Sequence, residues 1–298
     1  MPEGGDLYVS YISGLFDLDL SSLSIAIDCA NGASSAFARG LFEGLGAKTV
    51  MTGNSPDGIN INKDCGSTHL EHLSALTVEN KCDMGFAFDG DADRFLAVDS
   101  DGKVIDGDTI MSIIALAMKK EGKLKDDTLV VTIMSNLGVD IMAKKNGLNL
   151  VKTKVGDRYV LEEMLKSGYN IGGEQSGHVI LSDHQTTGDG MLTALALLNA
   201  LKVEGKSLKD ASSVIEILPQ VLLKAEVSDE DKEKAMNDAD IKALIDSLAS
   251  ELGGSGRILV RPSGTEPIIR VMLEGSDVAQ IKEMAEKICS KITEKYGR

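Results

Sequence analysis

Residues 84–94 read Met-Gly-Phe-Ala-Phe-Asp-Gly-Asp-Ala-Asp-Arg, an apolar run that ends abruptly in acidic residues. Large apolar side chains alternate at Met84, Phe86 and Phe88, which is the spacing of a strand with one buried face. Three aspartates then follow at every second position. The pattern therefore predicts a half-buried strand that opens into a tight acidic loop.

The acidic loop brings three carboxylates together, at Asp89, Asp91 and Asp93. Carboxylates that converge repel one another unless a cation lies among them. Oxygen ligands without sulfur or imidazole favour a hard ion such as Mg2+, Ca2+ or Mn2+. We therefore predict that these three aspartates bind a metal ion, with Arg94 beside them to orient a carboxylate or to hold a phosphate.

Two other kinds of loop also begin with closely spaced aspartates. An EF-hand loop needs glycine at its sixth position and glutamate at its twelfth, but Arg94 and Ser100 stand there. The EF-hand is thus excluded. A solvated acidic surface turn stays open as an alternative when this loop is taken alone.

Composition limits the class of protein. The chain has 298 residues, 43% hydrophobic and 26% charged, which is ordinary for a globular protein of two or three domains. Its net charge of −15 argues against a nucleic-acid or anionic-membrane partner. No apolar run approaches the ~20 residues of a membrane span. Four cysteines without metal-ligand spacing indicate free thiols in a reducing, cytoplasmic environment.

Strand-like and helical patterns alternate along the chain, which predicts an α/β fold. A strand, an Asn-Gly turn and a helix at 23–45 recur at 129–138 and beyond. We therefore expect two related α/β domains with mixed sheets, over residues 1–107 and 108–213. The remaining residues, 214–298, predict a smaller α+β domain.

Two helix starts in the second predicted domain carry acidic residues that are typical N-caps. Asp108 precedes one apolar helical pattern and Asp157 precedes another. Gly168 is expected near the end of the second of these helices.

A polar loop, Arg-Pro-Ser-Gly-Thr-Glu-Pro, occupies residues 261–267 between the strand-like runs 258–260 and 269–273. It offers a guanidinium, two hydroxyls and backbone amides freed by Gly264, and Arg270 is expected to point back toward it. Such a cluster suits a phosphate dianion. A hairpin shaped only by proline and glycine is the alternative.

A third loop contains Glu174, Ser176 and His178. If the loop is extended, this alternation places the three side chains on one side, where they could bind sugar hydroxyls. A glycine-rich β turn with incidental polar residues is the alternative. A fourth polar cluster, at 154–158, could equally be an ordinary capped helix start.

Five motifs follow one another along the chain: DGDADR at 89–94, KVGDRYV at 154–160, GGEQSGH at 172–178, TTGDG at 186–190 and RPSGTEP at 261–267. Together they resemble the α-D-phosphohexomutases over nearly the whole chain, most of all the bacterial phosphoglucosamine mutases. The resemblance implies a Mg2+-dependent enzyme that moves phosphate between O6 and O1 of a hexose through a bisphosphorylated sugar. Its hexose phosphate substrate would be glucosamine phosphate.

The resemblance also implies roles for individual residues. The Mg2+ ligands would be Asp89, Asp91 and Asp93. The implied catalytic residues are Arg94, which would help neutralise developing charge, and Lys154 and His178, which are general acid/base candidates. Sugar hydroxyls would be bound by Glu174, Ser176 and His178. The non-reacting phosphate would be bound by Arg261, Ser263, Gly264, Thr265 and Arg270.

One feature of that family is missing from these residues. Its first domain carries a phosphoserine in a Ser-His-Asn-like loop, and here no serine is followed by His-Asn. We therefore expect domains two to four of a mutase, inactive alone, with an exposed surface that favours self-association, for example as a homodimer. The alternatives are a phosphomannomutase/phosphoglucomutase with the same chemistry and a non-catalytic sugar-phosphate binding protein.

Overall fold

A computed structural model describes residues 2–264 and 266–297, without the side chains of residues 2 and 3. The chain forms two compact units. Unit 1 comprises the residues up to 135 and residues 139–216, and unit 2 comprises residues 136–138 and the residues from 217 onward.

Helices and strands alternate over the first 216 residues. The helices are α1 (Pro2–Ser13), α2 (Ala38–Gly44), α3 (Glu71–Glu79), α4 (Gly107–Lys120), α5 (Leu137–Asn146), α6 (Asp157–Ser167), α7 (Gly190–Glu204) and α8 (Leu208–Ala211). The strands are β1 (Ser24–Asp28), β2 (Lys48–Thr52), β3 (Met84–Phe88), β4 (Phe95–Asp99), β5 (Val104–Ile105), β6 (Thr128–Thr132), β7 (Asn149–Thr153), β8 (Ile171–Gly173) and β9 (Val179–Leu181).

The first sheet has the strand order β2-β1-β3-β4-β5. Strand β1 runs parallel to β2 and β3, whereas β3 and β4 are antiparallel. The strand predicted before the acidic loop is therefore confirmed, but all its residues are buried rather than half of them. Its smaller residues also face a helix, since a Cβ on Gly85 would lie 2.4 Å from Thr77 Oγ1 in α3.

The second sheet repeats the plan of the first, in the order β7-β6-β8-β9. Its first three strands are parallel and its last pair is antiparallel. In each sheet, the strand that comes first in the chain (β1 or β6) lies between two parallel neighbours. An antiparallel strand then follows toward one edge. This correspondence confirms the prediction of two related α/β folds with mixed sheets.

Helices α4 and α7 lie in the main hydrophobic core of unit 1. Almost every residue of α7 from Gly190 to Leu201 is buried, which is why this helix is apolar on all sides. The rings of Phe86 and Phe95 meet edge to face at 5.1 Å between centroids, one on each strand that flanks the acidic loop. The loop is therefore anchored at both ends in rigid packing. No helix among the described residues is long and apolar enough to cross a membrane.

The described residues of unit 2 form an antiparallel sheet and three α-helices. The strands are β10 (Gln220–Glu226), β11 (Gly256–Pro262) and β12 (Ile268–Gly275), in the order β10-β12-β11. The helices are α9 (Asp229–Asn237), α10 (Ala239–Leu252) and α11 (Val278–Tyr296). Apolar residues of the sheet and of all three helices form one core. The smaller α+β fold that was predicted for the end of the chain is confirmed.

Both predicted N-caps are wrong by one or two residues. Asp106, in an extended backbone conformation, accepts a hydrogen bond from Thr109 N at 3.0 Å and caps α4, while Asp108 is buried in the first turn. Gly156 precedes α6 with φ of 126°, so Asp157 is already helical and the cap position carries no side chain. Gly168 ends α6 in the left-handed conformation, as predicted.

Candidate functional site

The acidic loop joins β3 to β4 in unit 1. Arg94 N donates to Asp89 Oδ1 at 3.0 Å, and Ala92 N donates to Asp89 O at 3.1 Å. Ala92 has a φ of 61°, a left-handed conformation that tightens the turn. These bonds fold the loop back on Asp89, so its alternate side chains converge as the sequence predicted.

The three aspartates fit a divalent cation. One carboxylate oxygen from each of Asp89, Asp91 and Asp93 lies within 4.8 Å of the others. Burial and the neighbouring charges of Asp93 and Asp91 raise the pKa of Asp89 to about 7, against the lowering effect of the Arg94 N–H bond. Asp93 Oδ1 is buried and has no hydrogen-bond partner among the described residues. A bound cation would offset the repulsion and burial that act on Asp89, and it would give the buried Asp93 oxygen a partner. This group could therefore hold a metal ion.

His178 holds the third aspartate of the loop in place. Its Nδ1 lies 3.0 Å from Asp93 Oδ2, and its Nε2 accepts a hydrogen bond from Gly188 N at 3.1 Å. Because a backbone N–H can only donate, Nε2 is the acceptor and Nδ1 carries the proton that is donated to Asp93. The side chain is 5% exposed, and both its ring nitrogens are engaged. This geometry supports a positioning role more than the acid/base role implied by the resemblance.

The TTGDG segment at 186–190 packs directly beneath the acidic loop. A Cβ on Gly188 would lie 2.6 Å from the ring of His178, and one on Gly190 would lie 2.6 Å from Arg94 O. Gly190 N donates to Ala92 O at 2.8 Å. Glycine is thus required at both positions for the close approach. This motif was one of the five that carry the family resemblance, but the sequence indicated no structural role for it.

A cavity of about 240 Å3 opens beside the acidic loop. Its lining includes Asp91 and Asp93 of that loop, Tyr8 of α1, Phe37 just before α2, and the TTGDG segment. Tyr8 of α1 donates to both carboxylate oxygens of Asp189, at 2.8 and 2.9 Å. Asp189 in turn caps α7 through Leu192 N. Burial, followed by the charge of Asp189, raises the pKa of Tyr8. This contact, which the sequence did not suggest, fixes one wall of the cavity.

The extended loop expected at 172–178 is instead a β hairpin. Gly177 N donates to Glu174 O at 3.0 Å, and Gly177 has a φ of 95°, which reverses the chain. Ser176 is therefore exposed at the turn while His178 is buried. The expectation of three side chains on one side is wrong, because the glycine allows a tight turn where an extended strand was assumed.

Glu174 connects this hairpin to the KVGDR segment. Its Oε1 accepts a hydrogen bond from Gly156 N at 2.9 Å. Lys154 is exposed, with Nζ 5.8 Å from the centroid of the Tyr159 ring. Asp157 Oδ2 lies 3.8 Å from His178 Nε2, a proximity that the sequence did not suggest. The structure therefore brings the KVGDR segment, the hairpin and the acidic loop together through His178.

The predicted phosphate loop lies in unit 2, between β11 and β12. Arg261 and Arg270 are directly opposite each other across the two strands, and Lys224 is opposite Arg270 on the other side. Directly opposed residues share a face of the sheet, so three cations stand in a row. Burial, followed by the charge of Arg270, lowers the pKa of Arg261. Arg270 Nε is buried without a partner among the described residues, and like charges so arranged favour an anion between them.

The other residues of the phosphate loop are only partly engaged. Glu266 accepts a hydrogen bond from Arg270 Nη2 at 2.7 Å. Ser263 is buried, and its hydroxyl accepts a bond from Glu266 N at 3.2 Å. Gly264 is exposed. Thr265, the remaining predicted phosphate ligand, lies outside the described residues.

Models of three successive domains of one protein family match the chain. Domain II of phosphoglucomutase/phosphomannomutase matches residues 6–102, domain III matches residues 106–217, and the C-terminal domain matches residues 222–291. The chain belongs to this family. The phosphohexomutase resemblance of its five motifs is thereby confirmed. The division of the chain at 107 and 213 stays our own prediction.

Two curated relatives of this phosphohexomutase chain are named phosphoglucosamine mutase. Phosphoglucosamine mutase of Acetivibrio thermocellus is 53% identical over 98% of the chain and 65% of its own length. Phosphoglucosamine mutase of Clostridioides difficile is 51% identical over 97% of the chain and 65% of its own length. The chain thus spans about 65% of the length of these curated relatives.

Solved structures of the same family share the fold. A phosphoglucomutase/phosphomannomutase family protein of Burkholderia thailandensis superimposes with a TM-score of 0.79 at 22% identity, over 98% of this chain and 64% of its own. An Aspergillus fumigatus N-acetylphosphoglucosamine mutase, solved in complex with GlcNAc-6P and magnesium, gives a TM-score of 0.73 at 20% identity, over 96% and 68% of the two chains.

Proposed function

We propose that this chain supplies the metal-, sugar- and phosphate-binding parts of a phosphoglucosamine mutase, which interconverts glucosamine 6-phosphate and glucosamine 1-phosphate. The observation that carries the proposal is the acidic loop, in which three carboxylates converge and Asp93 Oδ1 is buried without a described partner. Identity above 50% to phosphoglucosamine mutases over nearly the whole chain supports the choice of sugar.

Asp89, Asp91 and Asp93 would hold Mg2+, which supplies Lewis-acid stabilisation of a transferring phosphoryl group when it is bound. Arg94 Nε lies 3.9 Å from Asp89 Oδ2, and the Arg94 side chain is 42% exposed. Its guanidinium can therefore turn toward a phosphoryl oxygen while its backbone N–H keeps Asp89 in place. His178 keeps Asp93 oriented during the reaction.

In unit 2, the phosphate loop would bind the non-reacting phosphate of the substrate. Arg261 and Arg270 would make charge-assisted bonds to the non-reacting phosphate, and the hydroxyl of Ser263 still has its own proton to donate. The partly buried Glu174 and the exposed Ser176 would bind sugar hydroxyls. Lys154 stays a general acid/base candidate, since it is exposed and its Nζ lies near the aromatic ring of Tyr159.

The transferring phosphoryl group comes from a phosphoserine in this family. The serine phosphate passes its phosphoryl group to a free sugar hydroxyl, the proton of that hydroxyl ends on the released serine oxygen, and a bisphosphorylated sugar forms. The sugar's other phosphoryl group then returns to the serine hydroxyl, whose proton ends on the sugar oxygen that is released. No serine of the 298 residues lies in a Ser-His-Asn context. We therefore propose that a segment outside these residues supplies the nucleophile.

The test is turnover of glucosamine 6-phosphate with Mg2+ and a hexose bisphosphate primer, before and after addition of a separately expressed first domain from a related mutase. We expect activity only after the addition, and only weak turnover of mannose 6-phosphate and glucose 6-phosphate. Turnover by the 298 residues alone would contradict the missing nucleophile. Equal rates with all three sugars would contradict the choice of substrate.

A further inference from the structure

The strongest unassigned feature is a buried lysine beneath the phosphate loop. Lys232 belongs to α9, and its side chain is only 11% exposed. Its Nζ lies 2.7 Å from Ser263 O and 2.5 Å from Glu266 O, two main-chain carbonyls of the loop. The third neighbour is Asp229 Oδ1 at 2.6 Å, one helical turn earlier. An ammonium group has three N–H donors, and all three have an acceptor here.

These contacts fix the direction of one peptide group in the loop. In a trans peptide the C=O and N–H bonds point to opposite sides, and none of the peptide bonds described is cis. Because Ser263 O points down to Lys232, the N–H of Gly264 points away from the helix. Gly264 is exposed, and its amide, directed as above, lies on the side of the loop opposite Lys232. A backbone N–H so directed is a donor suited to phosphate oxygens.

We propose that Lys232 is a positioning residue for phosphate binding, which aims the Gly264 amide at the bound phosphate through the carbonyls of Ser263 and Glu266. The inference rests on the proposed function, because it takes the 261–267 loop as the phosphate site. Lys232 itself does not touch the phosphate. Its action runs through the loop backbone, and its burial excludes the water that would otherwise solvate these carbonyls.

The experiment compares affinities of the whole 298-residue chain for glucosamine 6-phosphate, and for inorganic phosphate, by calorimetry. Lys232→Met removes all three donors at similar volume. Lys234→Met is the matched control, since Lys234 lies on the same helix, is 67% exposed and pairs with Asp231 away from the loop. We expect Lys232→Met to weaken binding by about tenfold or more, the value of one hydrogen bond to a charged group. The control should bind as the wild type does.

A spectroscopic readout separates positioning from general destabilisation. Cell-free labelling with carbonyl-13C serine and 15N glycine restricts the amide spectrum to the five Ser–Gly pairs of the chain, one of which is Ser263–Gly264. In the wild type, phosphate should shift the Gly264 signal strongly. In Lys232→Met the free-state Gly264 signal should be displaced and should respond little to phosphate, while the Ser255–Gly256 signal of the same sheet stays in place.

The results of these measurements decide whether Lys232 positions the loop. Unchanged affinity and an unchanged Gly264 response in Lys232→Met would overturn the proposal for Lys232, provided that Arg261→Met still weakens binding. If neither the wild type nor Arg261→Met shows phosphate binding at the loop, the proposed function fails and the inference falls with it. If Lys232→Met does not fold, Lys232→Arg decides, since it keeps the charge but loses the three-way geometry. Wild-type affinity and Gly264 signal in Lys232→Arg would then overturn the proposal.

Discussion

His178 donates from Nδ1 to Asp93 Oδ2 at 3.0 Å while its other nitrogen accepts from the backbone N–H of Gly188. The bond from Gly188 requires a lone pair on Nε2, so the ring proton lies on Nδ1. That proton is the one donated to Asp93. One carboxylate oxygen of Asp93 is thereby committed to the histidine. The other, Oδ1, is buried and has no hydrogen-bond partner among the described residues. A buried imidazole in unit 1 thus determines which oxygen is available to a metal ion.

This arrangement predicts that His178 controls metal affinity. His178→Leu should weaken Mn2+ binding by about 10- to 100-fold, as is usual when the partner of a metal ligand is removed. His178→Asn should lose less, because its amide can donate near the position of Nδ1. Titrations of free Mn2+ by electron paramagnetic resonance would measure both. His69→Leu, at an exposed histidine, is the control. Equal affinities in all of these proteins would contradict the role.

The acidic loop should be destabilising when no cation is present. Asp91→Asn removes one of three converging charges at an exposed position, so it should raise the melting temperature in EDTA. The same variant should lose most of the rise in melting temperature that Mg2+ causes in the wild type. Thermal unfolding with and without Mg2+ measures both effects. Glu79→Gln, an equal change of charge at the end of α3, should alter neither.

The row of cations on the sheet of unit 2 should favour anion binding and should not increase the stability of the fold. Arg261→Met removes a charge directly opposite Arg270, so the melting temperature should not fall. Affinity for glucosamine 6-phosphate should nevertheless drop by about tenfold or more. Lys224→Met should cost less affinity, because that side chain is 61% exposed and its charge is screened. Calorimetric titration would decide, and equal losses in the two variants would refute the ranking.

Acid should selectively loosen the cap of α10. Bonds from Lys295 and from the backbone N–H groups of Ile241 and Asp240 hold the pKa of Asp238 below its usual range. A carboxyl whose pKa is lowered on folding stabilises the protein above the ordinary value, near pH 4, and loses that effect as the pH falls toward its folded pKa.

Two variants isolate the charge of Asp238 from its capping oxygen. Asp238→Asn keeps an oxygen that can accept from Ile241 N, whereas Asp238→Ala removes it. Both should melt below the wild type at pH 7, the alanine variant more so. The difference between the wild type and Asp238→Asn should shrink below about pH 4. A difference that is the same at pH 7 and pH 3 would show that the charge contributes nothing.

Local patterns were sufficient to predict the elements around the site. Alternation at Met84, Phe86 and Phe88 gave the strand, and the spacing of the three aspartates gave their convergence, because both depend on neighbours in sequence. The wrong N-cap predicted for α4 also has a local cause, since Asp106 and Asp108 are equally suitable N-caps by residue type. The extended backbone conformation of Asp106, which the folded structure shows, identifies it as the cap.

Contacts between distant segments could not be predicted from the sequence. Nothing near Asp93 indicates that His178 will bind it, and nothing near Ser263 indicates Lys232. The position of Ser176 also differs from the prediction, because the turn at Gly177 depends on a positive φ that sequence alternation does not reveal. The row formed by Lys224, Arg270 and Arg261 requires the register of two strand pairs, which only the folded sheet defines.

The close approach of Gly188 and Gly190 to the acidic loop has a consequence for how the site is made. The hydrogen bond between Asp93 and His178 spans 85 residues of chain, and Gly190 closes on Ala92 across a similar distance. Long-range contacts form late in folding because they require a large loop to close. During synthesis the acidic loop therefore reaches its final shape only after the second α/β repeat has been made. A nascent chain that ends before Gly190 lacks the contacts that hold the three aspartates in place.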